Sequence, residues 1–153
     1  MFKSNMPIPE LTAAGVLPAG IHEATLAEVE AQFGMFNGSD ERVRLFQRFE
    51  QFIQDVHFWG NVEEILVDGS FVTSKQRPSD IDLILVYRAD FDLGSQVRPQ
   101  EYNLINKKRA RRVYGFDVFP VPSGSIEREK WVSYLSEDTR SGQEGKGLLR
   151  VTP

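Results

Sequence analysis

Gly69-Ser70-Phe71-Val72-Thr73-Ser74-Lys75-Gln76-Arg77-Pro78-Ser79-Asp80-Ile81-Asp82-Leu83-Ile84-Leu85 joins a short polar turn to an apolar run that begins with two carboxylates. The segment before it, Val62 to Val67, is β-branched and aliphatic and ends at Asp68-Gly69. The segment Asp80 to Tyr87 (DIDLILVY) is apolar on both faces beyond Asp82. Both read as strands, and the second as a central one, because an edge or half-solvated strand would alternate with polar residues. Phe71 to Lys75 has the length of one helical turn between them. A third strand is expected at Val113 to Val121 (VYGFDVFPV).

Helices flank these strands. Thr25 followed by Glu28 forms a capping box and Gly34 a stop, which predicts a helix over about 25–33. After Gly38, with Ser39 or Asp40 as cap, Val43, Phe46, Phe49, Ile53 and Val56 recur at helical spacing. Pro99 opens a predicted helix from about 99 to 112, and Ser125 opens another carrying Ile126, Trp131, Val132 and Leu135. Residues 6–22 hold three prolines and several apolar side chains, so they read as an extended arm on the domain surface, and residues 148–152 as a late strand. The expectation is an α/β (α+β) fold, a mixed β-sheet flanked by helices with an N-terminal extended arm. One domain should span 1–153: arm 1–24, core about 40–122, C-terminal helix and tail 123–153.

Three carboxylates are out of place in such strands. Two residues apart on one strand, Asp80 and Asp82 would project to the same side with Cα atoms about 6 to 7 Å apart. Crowding such a pair among apolar neighbours is unfavourable unless a cation offsets it. Asp117, between Phe116 and Val118, repeats the anomaly. Three acids suit Mg²⁺ or Mn²⁺, hard cations that take oxygen ligands and leave sites for phosphate and water. Gly69-Ser70 at the start of a helical turn would offer backbone N–H groups and a hydroxyl to an anion. Lys75 and Arg77 lie between the two halves, either within reach of a triphosphate or as solvated loop cations. Asp68 is read as a turn-former, and His22 and His57 as structural or exposed. The run Lys107, Lys108, Arg109, Arg111, Arg112 is either a solvated helix end complementing the dipole or a contact for RNA or an acidic protein. Trp59 and Trp131 could stack on a base but fit core or docking roles.

The chain of 153 residues has no cysteine, which excludes disulfides and thiolate metal sites. No stretch approaches the roughly 18 apolar residues of a membrane span, and the expected location is cytoplasmic with no membrane partner. A net charge of −4 argues against general affinity for nucleic acid backbones while leaving room for a local basic patch.

Gly-Ser, nine residues, Asp-x-Asp, then an apolar-Asp-apolar strand resembles the DNA polymerase β nucleotidyltransferase superfamily, and GSFVTSKQRPSDIDLIL is particularly similar to the minimal nucleotidyltransferases. The arm IPELTAAGVLPAGIHEATLAEVEAQFG, with the late KGLLRV, also resembles a small uncharacterised bacterial family that carries this fold. The resemblance implies a nucleotidyltransferase fold, with Gly69 and Ser70 binding a nucleoside triphosphate and Asp80, Asp82 and Asp117 binding metal; Lys75 is a further candidate for the triphosphate by its place in the loop. Asp117 would also activate the acceptor hydroxyl. The implied reaction moves a nucleoside monophosphate to a protein or RNA hydroxyl and releases pyrophosphate. The alternative is a partner-binding component of a toxin–antitoxin or phage-defence pair, bound to a cognate protein.

Overall fold

Leu83, Ile84 and Leu85 have no solvent exposure on either face, as a central strand requires. The computed structural model describes residues 8–94, 97–137 and 145–153. Among the described residues five strands form one mixed sheet: β1 (Ile21–Ala24), β2 (Val62–Asp68), β3 (Asp82–Tyr87), β4 (Asp117–Pro122) and β5 (Leu148–Val151), in the order β1-β5-β2-β3-β4. β2 is antiparallel to both β3 and β5, whereas β3–β4 and β1–β5 are parallel pairs. The fold is therefore mixed α/β, with five α-helices among the described residues.

Alternation along the strands gives each face its own core. Ile65, Val67, Leu83, Leu85 and Val118 join the larger one with α1 (Leu26–Phe33) and α2 (Glu41–Trp59). Leu66, Ile84, Val86, Val121 and Leu148 join the smaller with Leu135 of α5 (Ile126–Leu135). α2 contributes Leu45, Phe46, Phe49, Phe52, Ile53 and Val56, each buried and each worth about 1.5–3 kcal/mol of transfer free energy. α1 has the expected capping box: the Glu28 N–H donates to Thr25 Oγ1 at 3.1 Å and the Thr25 N–H to Glu28 Oε1 at 2.8 Å. Ser125 caps α5 by accepting from the Arg128 N–H at 3.1 Å. Asp40 occupies the cap position of α2 without a side-chain capping bond.

Four expectations need correction. The helix over 99–112 is broken: a 3₁₀ turn at Pro99–Glu101 leads into α3 (Tyr102–Ile105), and α4 (Lys107–Tyr114) starts afresh. Asn106 causes the break, since it is extended (ψ 122°) and its side chain accepts from the Arg109 N–H at 3.1 Å. The strand expected from Val113 starts at Asp117, because Val113 and Tyr114 end α4 and Gly115 closes it at φ +85°. The strand expected from Asp80 starts at Asp82, so strand alternation does not govern Asp80. The arm buries Ile8, Val16 and Leu17 and ends in β1, a strand the sequence reading missed, which pairs with β5.

Candidate active site: an acidic row beside an aromatic cleft

Gly69 adopts φ +99° and ψ 174°, a conformation open essentially to glycine alone. Its lack of a Cβ lets β2 run hard against the 80–82 segment: a Cβ there would lie 2.8 Å from the Asp80 carbonyl oxygen and 3.0 Å from both Asp82 N and Ile81 Cα. The chain then makes a 3₁₀ turn over Ser70–Val72, earlier and shorter than the turn expected over Phe71 to Lys75. Ser70 is buried and turned inward. Its hydroxyl donates to Asp80 Oδ1 and accepts from the backbone N–H groups of Ser79 and Asp80 at 3.0 and 3.2 Å. Its own N–H donates to Asp80 Oδ1 at 3.1 Å, and the Phe71 N–H donates to the Asp80 carbonyl at 3.1 Å. Gly69, Ser70 and Asp80 thus form one knot that closes the loop between β2 and β3.

A residue outside the sequence reading holds that loop from below. Arg42 of α2, only 5% exposed, donates to the carbonyls of Phe33 (3.2 Å), Phe71 (2.6 Å), Thr73 (2.6 Å) and Lys75. Burial lowers its pKa from the usual value, but four carbonyl acceptors suit a permanently charged fork. Lys75 is tied through its backbone while its side chain is exposed, and it does not line the cleft described below.

The acids meet across strands rather than along one. Asp68 pairs with Asp82 in the β2–β3 register, and Asp82 pairs with Asp117 in the β3–β4 register. Directly paired residues share a face, so Asp68, Asp82 and Asp117 form a row across three strands on the α5 side of the sheet. Asp68 is not the turn-former expected but the last residue of β2, 2% exposed, with Oδ2 3.0 Å from Lys146 Nζ and Oδ1 buried without a hydrogen-bond partner. Burial raises its pKa, and Lys146 opposes the rise. Asp82 is pushed up to about 6, first by burial and then by the negative charges of Asp80, Asp68 and Asp117, with Lys146 only partly offsetting them. The row carries more negative charge than its surroundings neutralise.

Arg111 of α4 holds Asp117, its Nη1 lying 2.9 Å from Oδ1. With Asp80 turned to Ser70 and Asp117 to Arg111, no group of three or more acidic or histidine side chains among the described residues converges into a ready cation cluster. The donor chemistry nonetheless fits a hard cation: carboxylate oxygens, one of them orphaned, in a field that already penalises their ionisation.

Beside Asp82 and Asp117 opens a cleft of about 650 Å³, walled by Phe119 of β4, Trp131, Tyr134 and Leu135 of α5, and two ammonium groups, Lys107 and Lys130. Trp131 stacks on Phe119 with centroids 4.0 Å apart and planes 21° apart, and meets Tyr134 edge-on at 5.7 Å. Lys107 Nζ sits 5.2 Å from the Phe119 centroid. Trp59, by contrast, is a core residue packed against Phe91, and His22 hydrogen-bonds the Pro18 carbonyl oxygen at 2.7 Å. Of the cleft-wall residues, Lys130 and Tyr134 offered no signal beyond their place on the helix expected from Ser125.

Two of the three aligned carboxylates, Asp82 and Asp117, thus stand at a cleft with cationic and aromatic walls in a mixed α/β fold. The chain belongs to DUF6932, a family of unknown function, whose model matches residues 9–152. No curated protein and no solved structure matches it. No described helix is long and apolar enough to cross a membrane.

Proposed function

We propose that the protein is a metal-dependent nucleotidyltransferase, that its sheet belongs to the nucleotidyltransferase fold the sequence resembles, and that a nucleoside triphosphate occupies the cleft. The observation that carries this reading is the aligned row Asp68–Asp82–Asp117 opening beside Lys107, Lys130 and the Phe119–Trp131 stack. Aromatic faces suit a nucleobase and ammonium groups suit phosphates.

In this mechanism Asp80, Asp82 and Asp117 would hold Mg²⁺ or Mn²⁺, which supplies charge neutralisation at the transferring and leaving phosphates. Asp68 and its partner Lys146 lie behind Asp82 and set the field in which it ionises. Lys107 and Lys130 bind triphosphate oxygens. Asp117, once released by Arg111, accepts the proton of an acceptor hydroxyl whose oxygen attacks the α-phosphorus. The bond from that phosphorus to the bridging oxygen breaks, and pyrophosphate leaves with the bond's electron pair. Positioning and charge compensation account for the rate enhancement.

The test is incubation of the protein and its Asp82→Asn variant with Mg²⁺ or Mn²⁺ and each of four α-labelled triphosphates, alone and with cell lysate. Metal-dependent label transfer by the wild type and its loss in the variant are expected. Absence of any metal-dependent difference with all four nucleotides sinks the reading.

A further inference from the structure

Four of the five cations of the 107–112 run share one side of α4. At about 100° per residue, Lys107, Arg111, Lys108 and Arg112 fall within an arc of about 140°, while Ala110 and Tyr114 point to the core. All four cations are exposed. At one edge of the stripe Lys107 lines the cleft and Arg111 grips Asp117; towards the other edge Lys108 and Arg112 have no ion-pair partner among the described residues. α4 has no acidic residue to offset them, so five positive charges stand on eight residues of a chain whose net charge is −4. Local charge of that density on an acidic protein marks a specific polyanion contact rather than general basicity. Aromatic rings accompany the cations: Tyr134, 65% exposed, lines the cleft with Lys107 at one edge of the stripe, and Tyr102, 39% exposed, lies beneath the guanidinium of the fifth cation, Arg109, at 5.8 Å.

Cations that track a backbone, with aromatic rings on which bases stack, are the equipment of single-stranded nucleic acid binding. An acidic peptide would use the cations but leave the rings idle. We propose that the α4 stripe docks a single-stranded nucleic acid end, the phosphodiester backbone lying over Lys108 and Arg112 and the terminal hydroxyl delivered to Asp117 as the acceptor. This rests on the nucleotidyltransferase reading for the transfer step, though not for the binding. The backbone nearest the cleft competes for Arg111, so docking of the strand and release of Asp117 are one event. The transfer joins the terminal oxygen to the α-phosphorus, gives the hydroxyl proton to Asp117 and expels pyrophosphate.

Binding is tested first, without nucleotide or divalent metal, by fluorescence anisotropy of a labelled single-stranded RNA of about 12 nucleotides, within the range such sites cover. A DNA of the same sequence and a polyglutamate peptide serve as comparison probes. Wild type should bind RNA or DNA with an affinity that falls steeply with salt. The double variant Lys108→Gln/Arg112→Gln should bind about tenfold more weakly and lose about 1.4 from the salt slope, two backbone contacts at about 0.7 each. Lys108→Arg/Arg112→Lys, which keeps both charges, should bind as wild type, and circular dichroism checks that each variant is folded. Equal affinity in the charge-neutral variant, salt-insensitive binding, or tighter binding of polyglutamate than of either nucleic acid overturns the proposal. A 3′-deoxy RNA should bind normally yet accept no label. Normal binding with no transfer to any RNA, while lysate still takes label, refutes the acceptor role alone; no transfer to RNA or lysate refutes the transfer reading as well.

Discussion

Replacing Gly69 with Ala tests the close approach on which the acidic row depends. The backbone at φ +99° and ψ 174° lies where an L side chain costs about 1–3 kcal/mol. The new Cβ also meets the Asp80 carbonyl oxygen, Asp82 N and Ile81 Cα at 2.8–3.0 Å. All three are main-chain atoms of one segment, so no side chain can swing aside, and relief requires moving the start of β3, an overpacking cost of about 1–3 kcal/mol. Together about 4 kcal/mol is expected, which for a domain of this size lowers Tm by about 8–16 °C. Gly60 supplies the control. It too has positive φ (+79°), but a Cβ there has nothing within 4 Å, so Gly60→Ala bears only the left-handed backbone penalty of about 1–2 kcal/mol. Urea denaturation followed by circular dichroism, with thermal scans in parallel, measures both variants. If Gly69→Ala proves no less stable than Gly60→Ala, the packing of β2 against residues 80–82 does not constrain the site as described.

Asp82 ties stability to pH in a definite direction. Its folded-state pKa is raised to about 6 from 3.8, so its contribution is complete below about pH 4 and is lost as pH rises through 6. Asp82→Asn should therefore flatten the stability profile between about pH 4 and 6, and Mg²⁺ should raise the wild-type Tm more at pH 7 than at pH 5; parallel profiles for variant and wild type across that window would be inconsistent with this. Lys146→Met strands the buried Asp68 carboxylate and should cost about 3 kcal/mol at pH 7, most of it recovered in Lys146→Met/Asp68→Asn; a double-mutant cycle without coupling would separate the two residues. Arg42→Lys keeps the charge but cannot span four carbonyls, and should cost about 2–4 kcal/mol with faster amide exchange at Phe71 and Thr73; unchanged exchange there would remove Arg42 from the support of the turn.

Much of this arrangement is legible in the sequence wherever the governing interaction is local. Thr25 and Glu28 cap α1 through neighbours three residues apart, Ser125 caps α5 likewise, and the unbroken apolarity of residues 83–86 places β3 at the centre. What escaped depends on partners far along the chain. β1 is short, and its pairing comes from β5, about 125 residues away, so no period within residues 21–24 announces it. Asp68 looks like a turn residue until the register sets it opposite Asp82. Arg42 left a trace that composition hides: it falls on the same helical stripe as Leu45, Phe46 and Phe49, a cation in an apolar row. For the candidate site, the spacing of Gly69, Ser70, Asp80, Asp82 and Asp117 pointed to one region of the sheet, where the structure sets Asp82 and Asp117 side by side. It could not show that Asp80 is bound up with Ser70, or that the strand register sets a further acid, Asp68, beside Asp82.

The position of β5 between β1 and β2 also sets an order of events in time. β2, β3 and β4 draw on residues 62–122 and can pair while loop-closure costs are small, but β5 must bring Leu148 to Ile21 and Val151 to Ile65 before its hydrogen bonds form. Lys146 travels with β5. Until that strand inserts, Asp68, Asp82 and Asp117 face one another without Lys146, the ammonium that pairs with Asp68, so the step that seals the sheet is also the step that calms its charge. Refolding should accordingly quicken when a divalent cation stands in for the missing ammonium, making the acidic row a kinetic checkpoint as well as a candidate site.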